Sequence, residues 1–184
     1  MHLTEIAQEK VKQHLLTGSI AIDATAGNGH DTLFLAKQVS GQGHVYAFDI
    51  QQQAIDNTSL LLQRHKLSHV TLIKTNHADM KEHLAPKHRT NVRGVMFNLG
   101  YLPSGDKSLI TAAESTLPAL DTSLQLLHPE GMLSIMIYPD HPGGKEEKAA
   151  VFEWTRHLDK KNYRWEHLKP SSERGPHLVL ISNL

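Results

Sequence analysis

The sequence has no cysteine among its 184 residues. That excludes disulfides, thiolate metal sites and a cysteine nucleophile, and it fits a reducing, cytoplasmic location. It also has no net charge: 19 Lys and Arg balance 19 Asp and Glu, with 14 His left uncounted. A bulk electrostatic pull toward nucleic acid is therefore weak. No apolar run reaches 18 residues, so no membrane span is expected. The amino end, MHLTEIAQEKVKQHLL, carries Glu5 and Glu9 where a signal peptide would be uncharged. It reads as an amphipathic surface helix. The histidines are scattered without His-Glu-x-x-His spacing, and no metal site is expected.

What remains is an ordinary globular composition, 39% apolar and 21% charged, in a length that suits a single domain over 1–184. Two basic runs stand out, 81–93 and 156–164. Such runs are more often solvated faces than binding surfaces. Strand and helix patterns alternate. Strands are predicted at 19–25, 43–50, 70–76, 94–102, 131–138, 163–170 and 177–184. Helices are predicted at 3–16, 30–39, 52–66, 80–85, 108–127 and 146–159, with Pro118 expected to kink or restart its helix. This order predicts an α/β fold: a seven-stranded, mostly parallel sheet with an antiparallel edge and helices on both faces. In such sheets ligands sit above the carboxyl ends of the strands.

The first strand runs into the turn of IAIDATAGNGHDT, residues 20–32. Gly27 and Gly29 suit a tight nucleotide turn, but Thr32 stands where a dinucleotide fingerprint has its third glycine. No Lys or Arg is present in the turn, and Asp23 and Asp31 flank it. A phosphate against such acids would meet repulsion of about 4 kcal/mol per contact at an effective dielectric near 20. A cationic ligand reverses that sign. S-adenosylmethionine is one: it carries a sulfonium, an ammonium and a single carboxylate, and no phosphate. Asp23 and Asp31 would favour its cationic end. Amides at the start of the following helix, up to Thr32, would hold its carboxylate. Asp49 ends the second strand 20 residues after Gly29, the usual offset for an acid that accepts ribose hydroxyls. Gln51 can add an adenosine contact, and NHAD (76–79) lies where the adenine edge is read. Asp49 can equally cap the next helix.

The fourth strand ends in FNLGYLPSGDK, residues 97–107. This resembles the Asn/Asp-Pro-Pro-Tyr motif of amino-group methyltransferases. Asn98 can accept a hydrogen bond from an amine, and the carbonyl of Leu99 or Gly100 a second, so that the nitrogen is oriented for in-line attack. Tyr101 offers a ring on which a base can stack. A neutral Asn does not hold the amine as ammonium, whereas a carboxylate would. An ordinary Asn-capped turn is the plainer reading. After the fifth strand, YPDHPGGKEE (138–147) places Tyr138 and His141 over the same pocket, and His141 could move a proton.

Taken together, AIDATAGNGHDT, FDIQ, NHADM, FNLGYLPSGDK and YPDHPGGKEE resemble the MnmM (YtqB) methyltransferases over nearly the whole chain. The resemblance implies a class I, Rossmann-like methyltransferase fold. It also implies S-adenosyl-L-methionine as cofactor and the anticodon loop of tRNA as substrate. The reaction implied converts 5-aminomethyl-2-thiouridine at wobble position 34 to its 5-methylaminomethyl form. Cofactor roles are implied for Asn28, Asp31, Asp49, Gln51 and His77, and substrate roles around Asn98 and Tyr101. Another methyl acceptor, a nicotinamide dehydrogenase and a non-catalytic RNA-binding module are the alternatives. Zero net charge and small size also suggest a homodimer that joins local basic runs into one RNA surface.

Overall fold

A computed structural model describes residues 2–103, 105–106, 109–170 and 175–184. The strands are β1 (Ile20–Asp23), β2 (His44–Asp49), β3 (Val70–Lys74), β4 (Val92–Leu99), β5 (Leu127–Ile137), β6 (Tyr163–Leu168) and β7 (His177–Asn183). The helices are α1 (Leu3–Lys12), α2 (His30–Val39), α3 (Gln52–Arg64), α4 (Met80–His83), α5 (Ala113–Leu126) and α6 (Gly144–His157). The strands form one sheet in the order β3-β2-β1-β4-β5-β7-β6. β1 to β5 run parallel, and β7 is antiparallel to both β5 and β6.

The antiparallel edge is therefore present, and the last strand lies inside it. Leu178–Ile181 are all buried, whereas Arg164–Glu166 of β6 are exposed. A continuous apolar run needs cover on both faces, so β7 takes the inner place and β6 the rim.

Alternate residues of each strand feed two cores. Ile22, Phe48, Phe97 and Ile135 pack on one face, with Met80, Leu120 and Val151 of α4, α5 and α6. Ala21, Val45, Met96 and Met136 pack on the other, with Val11 of α1 and Leu35 of α2. This period-two sorting puts helices on both faces.

Several boundaries differ from the sequence patterns: β5 begins at Leu127 rather than 131, and β4 ends at Leu99 rather than 102. α1 ends at Lys12, short of the expected residue 16. α5 begins at Ala113 because Ile110 is bridged antiparallel to Tyr101, which keeps the chain extended. Pro118 does not restart α5. It removes one backbone donor, and the buried Thr116, Ala119 and Leu120 anchor the helix on either side of it.

Strand order reverses between β1 and β4, which opens a crevice at their carboxyl ends. The segments after β1 to β5 all reach it. Among the described residues, no helix is long and apolar enough to cross a membrane. No group of three or more His, Asp or Glu is placed there to hold a metal.

Candidate active site

The crevice is a cavity of about 740 Å³. It is lined by Gly27, Asn28 and Asp31 after β1, Asp49 and Gln51 after β2, and His77 after β3. Asn98, Gly100 and Tyr101 line it from β4, and Tyr138 and His141 from beyond β5. Among the described residues, Asp31, Asp49 and Asp140 are its acids, and no Lys or Arg lines it. Such a wall repels phosphate and attracts cations.

Asp23, Gly29, Thr32 and Leu99 do not line the cavity, and each has another task. Asp23 is fully buried beneath the turn. It accepts from the Thr32 hydroxyl at 2.6 Å and the Thr25 amide at 3.1 Å. Burial, then the neighbouring Asp31 charge, push its pKa up to about 7. Its contribution is to hold the turn, so the direct cofactor contact read from the sequence is withdrawn. Thr32 is equally buried as its partner. Gly29 starts α2 with φ +83, and a Cβ there would meet Thr58 at 3.0 Å. This glycine serves helix packing rather than ligand approach. Leu99 is a core side chain.

Asp49 ties two backbone segments together. One oxygen accepts the Gly27 amide at 3.0 Å, tying the first turn to β2. The other accepts the Gln51 amide at 2.9 Å, at the start of α3. Each oxygen keeps a lone pair for a ligand. The Gln51 carboxamide clasps the loop after β4: it donates toward the Asp106 and Leu109 carbonyls and accepts the Asp106 amide at 3.1 Å. His77 is buried, and burial pushes its pKa down to about 4. Its Nδ1 lies 3.2 Å from the Ala24 carbonyl and so carries the proton. That leaves Nε2 as a buried acceptor with no partner among the described residues.

At the β4 turn, Asn98 donates through Nδ2 to Asp31 at 2.7 Å. An ionised carboxylate only accepts, so the amide orientation is fixed and Oδ1 is left as the acceptor. The backbone of Asn98 donates to the Thr25 hydroxyl at 2.7 Å. The Leu99 carbonyl accepts the Tyr138 amide, and the Gly100 carbonyl the Thr111 amide, each at 3.0 Å. Both carbonyls expected to hold an amine are thus engaged in backbone bonds, and Asn98 Oδ1 is the better acceptor. Tyr101 is 41% exposed and meets His141 edge-on. His141 Nδ1 bonds the Pro142 carbonyl at 2.8 Å, and its Nε2 is buried. A proton-transfer role would require that ring to turn.

Two contributors gave no sequence signal. Gln8 of α1 lines the cavity and donates to the second Asp31 oxygen at 2.7 Å. Asp31 is therefore clamped between Gln8 and Asn98. Glu147 is buried in α6 and accepts from the hydroxyls of Thr111 and Thr116 at 2.7 and 2.6 Å. It pins the loop after β4 and α5 to α6.

Comparison with known proteins gives the family and the fold. Residues 45–182 match the family model described as "Putative rRNA methylase". The tRNA (mnm(5)s(2)U34)-methyltransferase, chloroplastic, of Arabidopsis thaliana is 43% identical over 80% of this chain, and the match covers 57% of that relative. The chain thus spans little over half the length of this curated relative. A protein of Clostridium thermocellum described as an rRNA-methylase superposes with TM-score 0.94 at 37% identity, covering 100% of this chain and 98% of its own. A Streptococcus mutans structure in complex with SAH gives TM-score 0.88 at 35% identity, covering 100% and 99%. The chain belongs to the rRNA methylase family matched by that model and has the class I methyltransferase fold.

Proposed function

We propose that this protein transfers a methyl group from S-adenosylmethionine to the amine of 5-aminomethyl-2-thiouridine at wobble position 34 of tRNA. The observation that carries this is the clamp at the cavity: Asp31 fixes Asn98 so that a neutral amide oxygen is offered to an amine beside the exposed Tyr101 ring. The likeness to the Arabidopsis tRNA methyltransferase supports the choice of substrate.

The cavity fits the cofactor on three counts. Among the described residues its lining is acidic and holds no Lys or Arg. It holds an unpartnered acceptor, His77 Nε2, suited to an amino N–H. Gly27 brings its backbone to the wall at φ +54. Asp49 would take the ribose hydroxyls, Asn28 and the start of α2 the amino-acid end, and His77 the adenine edge. Bound there, S-adenosylmethionine supplies an electrophilic methyl group on sulfur. Asn98 Oδ1 accepts an N–H from the substrate amine and aims its lone pair into the cavity. An aliphatic amine with pKa near 10 costs about 4 kcal/mol to deprotonate at pH 7, and neutral Asn98 adds nothing to that cost. Tyr101 stacks on the base, and Tyr138 closes the inner wall, where Gly100 packs against its ring. His141, if its ring turns outward, takes the proton released.

The 184 residues act as one domain, on the anticodon loop, in the cytoplasm, as a homodimer. Sedimentation at working concentration checks the assembly: a monomer would dismiss the dimer. Nucleoside mass spectrometry of tRNA from a deletion strain tests the substrate. The methylaminomethyl nucleoside should vanish and the aminomethyl precursor accumulate. Persistence of the product, with no second enzyme present, would refute the assignment.

A further inference from the structure

The two basic runs visible in the sequence do not make a strong anion site. In 81–93, Lys81 donates to Gln125, Arg89 to the Leu84 carbonyl, and Arg93 pairs with Glu130 at 3.0 Å. In 156–164, Arg156 and His157 share Glu153. That run also leads into β6, whose first residue, Tyr163, pairs with Asn183 at the end of the sheet away from the cavity.

The opposite end of β6 and β7 is different. His177 pairs with Ile137, the residue before cavity-lining Tyr138. His167 Nε2 lies 3.0 Å from His177 Nδ1, and the rings stack with centroids 5.2 Å apart and planes at 23°. Phe152 of α6 backs both rings, at 4.6 and 5.6 Å. Lys148 lies one helical turn before Phe152 and so shares its face, toward the cavity end. Lys169 follows β6 at the same end. Neither lysine has an ion-pair partner among the described residues. Their charges reach both imidazoles: after burial, Lys148 and Lys169 are among the causes that push the pKa of each below its ordinary value. Of the acids near them in the sequence, Glu146 is exposed, Glu147 is held by Thr111 and Thr116, Glu153 pairs with Arg156 and His157, Glu166 pairs with Lys10, and Glu173 lies outside the described residues.

We infer that Lys148, Lys169 and the His167–His177 pair form a docking site for a backbone phosphate of the RNA, beside the cavity end of the sheet. This rests on the reading of the substrate as RNA. Two ammonium groups with no ion-pair partner among the described residues supply the charge. One ring donates to the other, so one of the two outer nitrogens, His167 Nδ1 or His177 Nε2, carries a proton and can donate to a phosphate oxygen. A neutral chain would thereby gain a local positive site where the substrate arrives, with no need of a basic surface overall.

The test is binding of an unmodified anticodon stem-loop RNA, followed by fluorescence anisotropy across a salt series. The full chain is compared with a Lys148→Ala/Lys169→Ala variant and with a Lys160→Ala/Lys161→Ala control from the far end. The first variant should bind about tenfold more weakly at 0.1 M salt. Its salt slope should be lower by about 0.7, as expected for the loss of one contact to a single-stranded phosphate. Its affinity for S-adenosylmethionine should be unchanged, and the control should bind RNA like the parent. Lys148→Arg/Lys169→Arg should retain binding. Inorganic phosphate should compete only at far higher concentration than RNA. Unchanged RNA affinity and slope in the folded double variant, an equal loss in the control, or no RNA binding by the parent would overturn the site. The readout needs no methylation. Loss of binding in the variant alongside a parent that fails to modify tRNA would leave the docking site standing and remove only the proposed substrate.

Discussion

Asn98 illustrates how a neutral side chain acquires direction from a charged neighbour. Asp31 can only accept, so the amide nitrogen of Asn98 must face it and the oxygen must not. Asn98→Ala should reduce turnover by about a hundredfold or more, as misplacement of a reacting group does, with S-adenosylmethionine affinity little changed. Single-turnover kinetics and titration of the cofactor separate those effects. Gln8→Ala loosens the same carboxylate from its other side. A smaller fall in kcat with little change in KM is expected, and Gln8→Glu, which cannot donate, should be no better. Asp23 makes a prediction of another kind. Its folded pKa is raised to about 7 by burial and by Asp31, against about 3.9 unfolded. The folded state then holds the proton more tightly, so this contribution to stability is full below pH 4 and is lost as pH rises through 7. Urea midpoints of the parent and Asp23→Asn, measured from pH 4 to 8, should diverge in favour of the variant as pH rises. Parallel curves would show that Asp23 does not titrate in this window.

At the scale of elements, the site is assembled by loops that are tied to one another across the crevice. Gln51 clasps the loop after β4, Asp49 joins the first turn to the second strand, and Glu147 joins the loop after β4 and α5 to α6. Glu147→Ala strands two hydroxyls, Thr111 and the buried Thr116, and should cost about 2–4 kcal/mol by urea unfolding. Glu147→Gln should recover most of that loss. The βα alternation and the crevice above the strand ends were legible from the period of apolar residues, because that pattern is local. The starting point of α5 was not, because it depends on the pairing of Ile110 with Tyr101. Gly29 shows the same limit. Its turn conformation was readable, but its closeness to Thr58 is a contact between two helices.

For the whole molecule, zero net charge leaves no uniform attraction for RNA, and the distribution of charge has to supply it. The runs that are dense in sequence are partly neutralised by Glu130 and Glu153, while Lys148 and Lys169 act on the same histidine pair only because β6 returns to the cavity end beside β7. The sequence by itself determined the order of elements, the acidic character of the first turn and the placing of Asn98 and Tyr101 at the carboxyl end of a strand. Those features depend on neighbours along the chain. The tertiary structure alone decided that Asp31 faces the cavity while Asp23 lies beneath it. It alone brought Gln8 to Asp31 and seated β7 inside β6. Burial, carboxylate partners and strand order depend on which distant segments pack together, and no local pattern encodes that choice.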